Sequence, residues 1–262
     1  MKLSAIHIYP IKSAGGISLE VSEVDDFGLV ADRRMMIVDK SGSMVTQRAV
    51  PTLALVRPAF DGDRLVINAP GMPELTVPRS VEDGEPQEVV VWGDWVRAIR
   101  VDRAADHWFS RVLGRDVRLV YMPHTTVRKV DPRYAADGKR VAFADGFPFL
   151  LTTDASLADL NARMAAPLPM NRFRPNIVLS GTEPWAEDSW REVLVGTIRF
   201  DVAKPCARCA ITTVDQTTGA IGKEPLATLA TFRKVDGKAL FGQNLVHRNR
   251  GHLHVGDAVS LA

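Results

Sequence analysis

At 262 residues with 46% hydrophobic content, the chain is long enough to bury a substantial core, as one large domain or two smaller ones. Its 33 basic and 31 acidic residues leave a net charge of +2, which provides no concentrated basic face for nucleic acid. No run approaches the ~20 apolar residues of a membrane span. The N-terminus reaches Pro10 and Lys12 before a secretory core accumulates, so no membrane association and a cytoplasmic location are expected.

In chain order, Leu3, Ala5, Ile6, Ile8 and Ile11 predict a first strand. It runs into Pro10 to Gly16, whose Lys-Ser-Ala-Gly-Gly suits a backbone anion cradle. Short β-like runs follow at Met35 to Asp39, Leu53 to Pro58, Arg64 to Asn68, Glu88 to Trp92 and Val96 to Val101. Turn signals at Lys40-Ser-Gly, Asp61-Gly-Asp, Ala69-Pro-Gly and Gly93-Asp separate them and favour antiparallel sheet. Ala104 to Leu113 reads as a short helix stopped by Gly114, and Val117 to Met122 as a strand. Pro123 to Arg140, with Asp131-Pro and Asp137-Gly, reads as an exposed loop near a ligand.

In the second half, Asp154 is the expected N-cap of a helix carrying Leu157, Leu160 and Met164. Strands are expected at Asn176 to Ser180, Glu192 to Val195, Thr197 to Ala203, Cys209 to Val214, Phe241 to Val246 and Val255 to Leu261. Periodicity alone suggests a cut near residue 123 between two sequential domains, mostly β with a few helices.

Both cysteines lie in one Cys-x-x-Cys unit, Cys206 and Cys209, with Lys204 and Arg208 supplying positive charge for a thiolate. Two cysteines in so long a chain argue against a disulfide scaffold and for catalysis or metal binding in a reducing compartment. A thioredoxin-like pair needs a helix beginning at the motif, whereas Ala-Ile-Thr-Thr-Val after Cys209 has strand propensity. A zinc site would need two more ligands, drawn from His247, His252 or His254. Inert buried thiols remain the plain alternative.

The motif continues as Lys204-Pro-Cys-Ala-Arg-Cys-Ala-Ile-Thr-Thr-Val-Asp-Gln-Thr-Thr-Gly219, then Lys223-Glu-Pro-Leu-Ala-Thr-Leu, Phe241-Gly-Gln-Asn244 and Val255-Gly-Asp257. This resembles the MOSC domain family, on the branch of the amidoxime-reducing components and their bacterial relatives. Tyr9-Pro-Ile-Lys-Ser13, Asp32-Arg33, Met44-Val-Thr-Gln-Arg48, Phe173-Arg-Pro-Asn176 and Glu187-Asp-Ser-Trp190 extend the likeness over nearly the whole chain. The resemblance implies an α+β, predominantly β fold, a MOSC β-barrel with an inserted β-rich N-terminal region. The implied division is a discontinuous cofactor domain, 1–33 and 123–262, around 34–122.

It also implies molybdenum cofactor, a molybdopterin whose metal takes one protein thiolate, here Cys209, with Cys206 a neighbour. Lys12, Ser13, Arg33, Arg174, Asn176, Ala207 and Arg208 would surround the pterin and its phosphate, joined by Asp145 and Asn244, and Asp215 would orient the site or relay protons. Taken singly, Arg33 and Lys12 read as solvated cations, Arg174 as the start of a strand, and Asp215 as a turn former. The resemblance leaves room for pyridoxal phosphate as another ligand. The implied activity is reduction of N-hydroxylated substrates, the alternative being a cofactor carrier or sulfur-transfer protein. With no cysteine cluster for an iron–sulfur centre, electrons are expected from a separate donor of ferredoxin, flavoprotein reductase or cytochrome b5 type. Met35 or Met36 stands where relatives often carry an aromatic, a change expected to reshape contacts beneath the site.

Overall fold

The first strand, Lys2–Ile8, buries Leu3, Ile6 and Ile8 completely, although residue 3 has the opposite parity to 6 and 8. A register shift between Leu3 and Ala5 resolves this, because one extra residue moves the apolar set back to the core face. The computed structural model describes residues 1–136 and 138–261, and the chain is an α+β molecule dominated by sheet. The largest sheet runs from Val259–Leu261 through Glu192–Val195, Ile198–Ala207, Lys238–His247, Phe149–Thr153 and Ile177–Ser180 to Lys2–Ile8 and Ile17–Leu19. Lys2 bridges back to Ala258, Leu3 N donates to Asp257 O at 2.9 Å and Gly256 N to Leu3 O at 2.8 Å. The two ends of the chain thereby close the sheet into a barrel, which leaves few free strand edges. Leu3, Ile6, Phe149, Leu151, Ile177, Val193, Phe200 and Leu245 fill its interior.

Met35–Asp39 belongs to a four-stranded antiparallel sheet with Val117–Tyr121, Asp94–Arg100 and Pro86–Val91. Its unbroken apolar run is explained by burial on both faces. Met35 and Ile37 meet Trp108 and Phe109 of helix α1 (Arg103–Leu113), while Met36 and Val38 meet Val89, Val96 and Phe143. The Met35 backbone holds the predicted anion loop from below, accepting from Lys12 N at 2.8 Å and donating to Pro10 O at 3.0 Å. Helix α1 begins where the Asp102 carboxylate accepts from Ala105 N and stops at Gly114, which is left-handed at φ 62. Asp102→Ala should therefore cost about 1 kcal/mol, read as a lower urea midpoint at unchanged slope.

Helix α2 (Asp154–Ala162) crosses between Phe149–Thr153 and Ile177–Ser180, a parallel pair in this otherwise antiparallel sheet. Its cap is Thr153, whose hydroxyl accepts from Ser156 N, so Asp154 is the first helical residue and Met164 falls outside. Three further expectations change. Leu53 to Pro58 is split between a 3-10 turn, Pro51–Leu55, and the strand Arg57–Asp61, because Pro51 presets the turn. Cys209 to Val214 is not a strand, since Ala210–Thr213 winds into a 3-10 turn. There the Thr212 and Thr213 hydroxyls donate to the carbonyls of Cys209 and Ala210. Helix α3 (Leu226–Phe232) was not expected, being only 7 residues long behind Pro225.

The described parts of the 123–140 segment, 123–136 and 138–140, are irregular but anchored. Buried Arg128 donates to Asp94 Oδ2 at 2.8 Å and to the carbonyls of Ala142, Ala144 and Asp145, and Tyr134 packs edge-on against Phe147. The expected Asp137-Gly turn lies outside the described residues.

Candidate functional site

Three non-glycine residues with left-handed backbone, Ser13 (φ 68), Arg33 (φ 47) and Arg174 (φ 55), line a single cleft. Such conformations cost of order 1 kcal/mol or more each for side-chain-bearing residues and persist where surrounding contacts impose them. Arg33 is imposed by Tyr9 O, which accepts its N–H at 2.9 Å, and by Phe143 N, which donates to its carbonyl at 2.9 Å. The cleft is open to solvent and holds a cavity of about 130 Å³, smaller than an enclosed small-molecule pocket usually is. Lys12, Ser13, Arg33, Asp145, Arg174, Asn176, Arg208, Cys209 and Asn244 all line it, as does Cys206. They arrive from the loop after the first barrel strand, the loop before Met35–Asp39, the segment before Phe149–Thr153, the entry to Ile177–Ser180, the end of Ile198–Ala207 with the residues after it, and the body of the adjacent strand Lys238–His247.

Asn176 is the frame of the site. Its Oδ1 accepts from Leu150 N and from Arg33 Nη1, both at 3.1 Å, and its Nδ2 donates to His7 O at 3.2 Å. Arg33 also donates to Asp32 Oδ2 at 2.6 Å and to Arg174 O at 3.2 Å. Arg174 donates to Ala14 O at 2.6 Å, and burial pulls its guanidinium down to about 10. Arg208 donates to Phe173 O at 2.6 Å and to Cys206 Sγ at 2.9 Å, while its buried Nε has no partner among the described residues. Phe173 is itself fixed by stacking on Phe241 at 3.8 Å.

Lys12 donates to Phe143 O at 2.7 Å and to Asp145 Oδ1 at 2.6 Å. Burial lowers the Lys12 ammonium from its ordinary value, with Asp145 opposing. For Asp145 desolvation works to raise the carboxyl, but only weakly because its side chain is 60% exposed, and Lys12, the Trp92 indole N–H at 2.9 Å and Arg48 outweigh it and hold the group well below the usual range. A carboxyl whose folded pKa is depressed contributes stability above its unfolded value, about 3.9, and loses it as pH falls through the folded value. Wild type should thus lose stability below about pH 4 more steeply than Asp145→Asn, as followed by urea unfolding across an acid series. Coincident acid limbs would contradict the pairing.

Three of the loop amides expected in the cradle are already engaged within the fold. Lys12, Ala14 and Gly15 N–H groups donate to Met35, Ile11 and Val56 carbonyls, so the positive field of the cleft comes largely from its side chains. Among the described residues, Asp215 and Ala207 lie outside the cleft lining. Asp215 Oδ1 accepts from the amides of Thr217 and Thr218, and its Oδ2 is 3.5 Å from Arg172, which donates to Thr212 O just after Cys209. Its reach toward the site runs through Arg172. Ala207 belongs to the strand Ile198–Ala207, and the neighbouring Arg208 N donates to Ala239 O. The histidines considered as zinc partners do not join the cysteines: His247 is buried against Phe149, and His252 and His254 lie on Gly251–His254. No group of three His, Cys, Asp or Glu side chains among the described residues is placed to hold a metal by itself. The four-residue 3-10 turn after Cys209 also lacks the helix a thioredoxin-like pair requires.

Sequence reasoning missed Arg128, which fastens the 142–145 backbone, and the Trp92–Arg48 pair, with Arg48 4.2 Å over the indole. Neither has a local signal, because both act through tertiary contacts. Chemically, the cleft sets four cations against one carboxylate around an accessible pair of thiols, an arrangement suited to an anionic ligand bearing a soft metal.

Two family profiles match the chain, the MOSC N-terminal beta barrel domain at residues 1–116 and the MOSC domain at residues 138–260. Among curated proteins, the chain is 36% identical to mitochondrial amidoxime-reducing component 1 of Homo sapiens, over 99% of this chain and 82% of that protein. Mitochondrial amidoxime reducing component 2 of Bos taurus is 35% identical, over 98% of this chain and 82% of its own length. The rat component 2, from Rattus norvegicus, is likewise 35% identical over 98% and 82%.

Proposed function

The chain belongs to the MOSC family, and from that premise we propose that it is a molybdenum-cofactor-dependent reductase of N-hydroxylated compounds such as amidoximes, hydroxylamines and hydroxylated nucleobases. The observation that carries the reading is the convergence of Lys12, Arg33, Arg174 and Arg208 with Cys209 on one cleft, three of whose lining residues have imposed left-handed backbone. The residues fit the cofactor: an excess of buried cations answers a phosphate, the unpartnered Arg208 Nε awaits an acceptor, and Cys209 offers the thiolate that molybdenum accepts. Lys12, Ser13, Arg33, Arg174 and Arg208 would hold the anionic part, and Asn176, Asn244 and Asp145 its polar edges. The backbone at Ala207 and the carboxylate of Asp215 complete the proposed set, Asp215 steadying the turn after Cys209 through Arg172.

When bound, the cofactor supplies the two-electron chemistry that removes oxygen from nitrogen. The chain supplies orientation and charge. Asp145 stays ionised and keeps the buried Lys12 ammonium paired, so this carboxylate is a fixed anion and the open side of the cleft admits the protons the reduction consumes. Electrons come from a separate donor protein, and the 34–122 region is proposed as an insertion in a cofactor domain formed by 1–33 and 123–262. Reduction of benzamidoxime with a chemical reductant, by protein made in a host that supplies the cofactor, tests this. Turnover supports the reductase. Protein that carries molybdenum and pterin but is never reoxidised by N-hydroxy compounds is a carrier, and the reading fails.

A further inference from the structure

We propose that Tyr9 is the positioning residue of the cleft's two-arginine clamp, its ring holding the Arg33 and Arg174 guanidiniums where an anion meets both; this rests on the anion-binding reading above. The ring centroid lies 4.2 Å from the Arg33 guanidinium carbon and 4.1 Å from that of Arg174. Two buried like charges this close repel, and their compensation is unequal. Arg33 has Asp32, whereas Arg174 has no carboxylate partner among the described residues, only Ala14 O and the aromatic face. A π face is attractive to a cation yet takes none of its N–H groups, so it stabilises the charge while leaving donors for a ligand in the cleft.

The surroundings are arranged for an aromatic ring at this position. A Cβ on Gly16 would lie 2.6 Å from Tyr9 Cε1 and 2.9 Å from Cδ1. Gly16 does not have the left-handed backbone that would by itself favour glycine, so the ring is what requires its small size. Tyr9 is tied by three polar contacts: its N donates to Asp32 Oδ1 at 2.8 Å, its hydroxyl to Pro175 O at 3.1 Å, and its carbonyl accepts from strained Arg33. Asp32 and Arg33 are thereby referenced to the Tyr9 backbone and the residue after Arg174 to its hydroxyl, all through one buried residue. None of this involves contact between Tyr9 and the ligand, and Tyr9 is absent from the cleft lining.

The test uses the full chain made without cofactor, with inorganic phosphate as the probe and calorimetric binding as the readout. Tyr9→Phe keeps the ring and should bind phosphate within about twofold of wild type. Mono-, di- and trifluorophenylalanine at position 9 withdraw density from the face at nearly constant shape. They should weaken phosphate binding stepwise to about tenfold, with little change in melting temperature. Gly16→Ala, which pushes the ring without removing it, should weaken binding in the same direction. Phosphate binding by wild type with a flat fluorination series would overturn the role of Tyr9 and leave the anion cleft standing. No phosphate binding by wild type would remove the cleft reading and the clamp together.

Discussion

Cys209→Ala is expected to abolish molybdenum retention, lowering the metal-to-protein ratio at least about a hundredfold, while Cys206→Ala keeps most of it. The asymmetry follows from where the two sulfurs sit. Cys209 leads into the 3-10 turn Ala210–Thr213, its carbonyl taking both the amide and the hydroxyl of Thr212, so its backbone is fixed at the cleft wall. The Cys206 thiol is already engaged by Arg208 Nη1. Removing it should loosen that guanidinium, which Phe173 O still holds, and so lower cofactor affinity only a few-fold, too little to empty the site. Equal loss from both variants would contradict a single thiolate ligand. Because neither thiol is part of the apolar core, both variants should melt close to wild type when cofactor-free, which separates lost ligation from lost folding.

Arg174→Met should separate binding from stability even more sharply. Burial holds the Arg174 guanidinium down at about 10, which means the charged form is less favourable in the fold than in the unfolded chain. Removing the charge relieves that penalty. The loss of the bond to Ala14 O and of the Tyr9 contact costs roughly as much. Cofactor-free Arg174→Met should therefore unfold within about 1 kcal/mol of wild type. Pterin retention, measured by fluorescence of the released cofactor, should fall about 10- to 100-fold, the worth of one or two charge-assisted hydrogen bonds. Arg174→Lys should not restore it, since an ammonium lacks the planar fork that lies over a ring and donates sideways. A variant that loses stability in proportion to retention would make Arg174 a structural residue and weaken the account.

These two predictions rest on residues that were legible in different ways. Cys209, Lys12 and Arg174 stand in motifs whose likeness to a family can be recognised, yet nothing local says that positions 12, 33, 174 and 209 meet. That meeting is made by a barrel joining Lys2–Ile8 to strands at the far end of the chain, including the Lys2 to Ala258 bridge. Alternation and turn residues were enough for most strands and for α1, with its Asp102 cap and Gly114 stop. They failed at Ala210–Thr213, where threonine hydroxyls bond back to the chain and override strand propensity. The left-handed backbone at Ser13, Arg33 and Arg174 was invisible because tertiary contacts impose it on residues that do not favour it. The same holds for Arg128, whose buried fan of carbonyl contacts anchors a segment that reads as an exposed loop.

The most direct measurement is elemental analysis of wild-type protein purified from a host that makes molybdenum cofactor. The account predicts close to one molybdenum per chain, released together with pterin, and no zinc. Zinc bound in its place, or protein that holds neither molybdenum nor pterin when both are supplied, would contradict it.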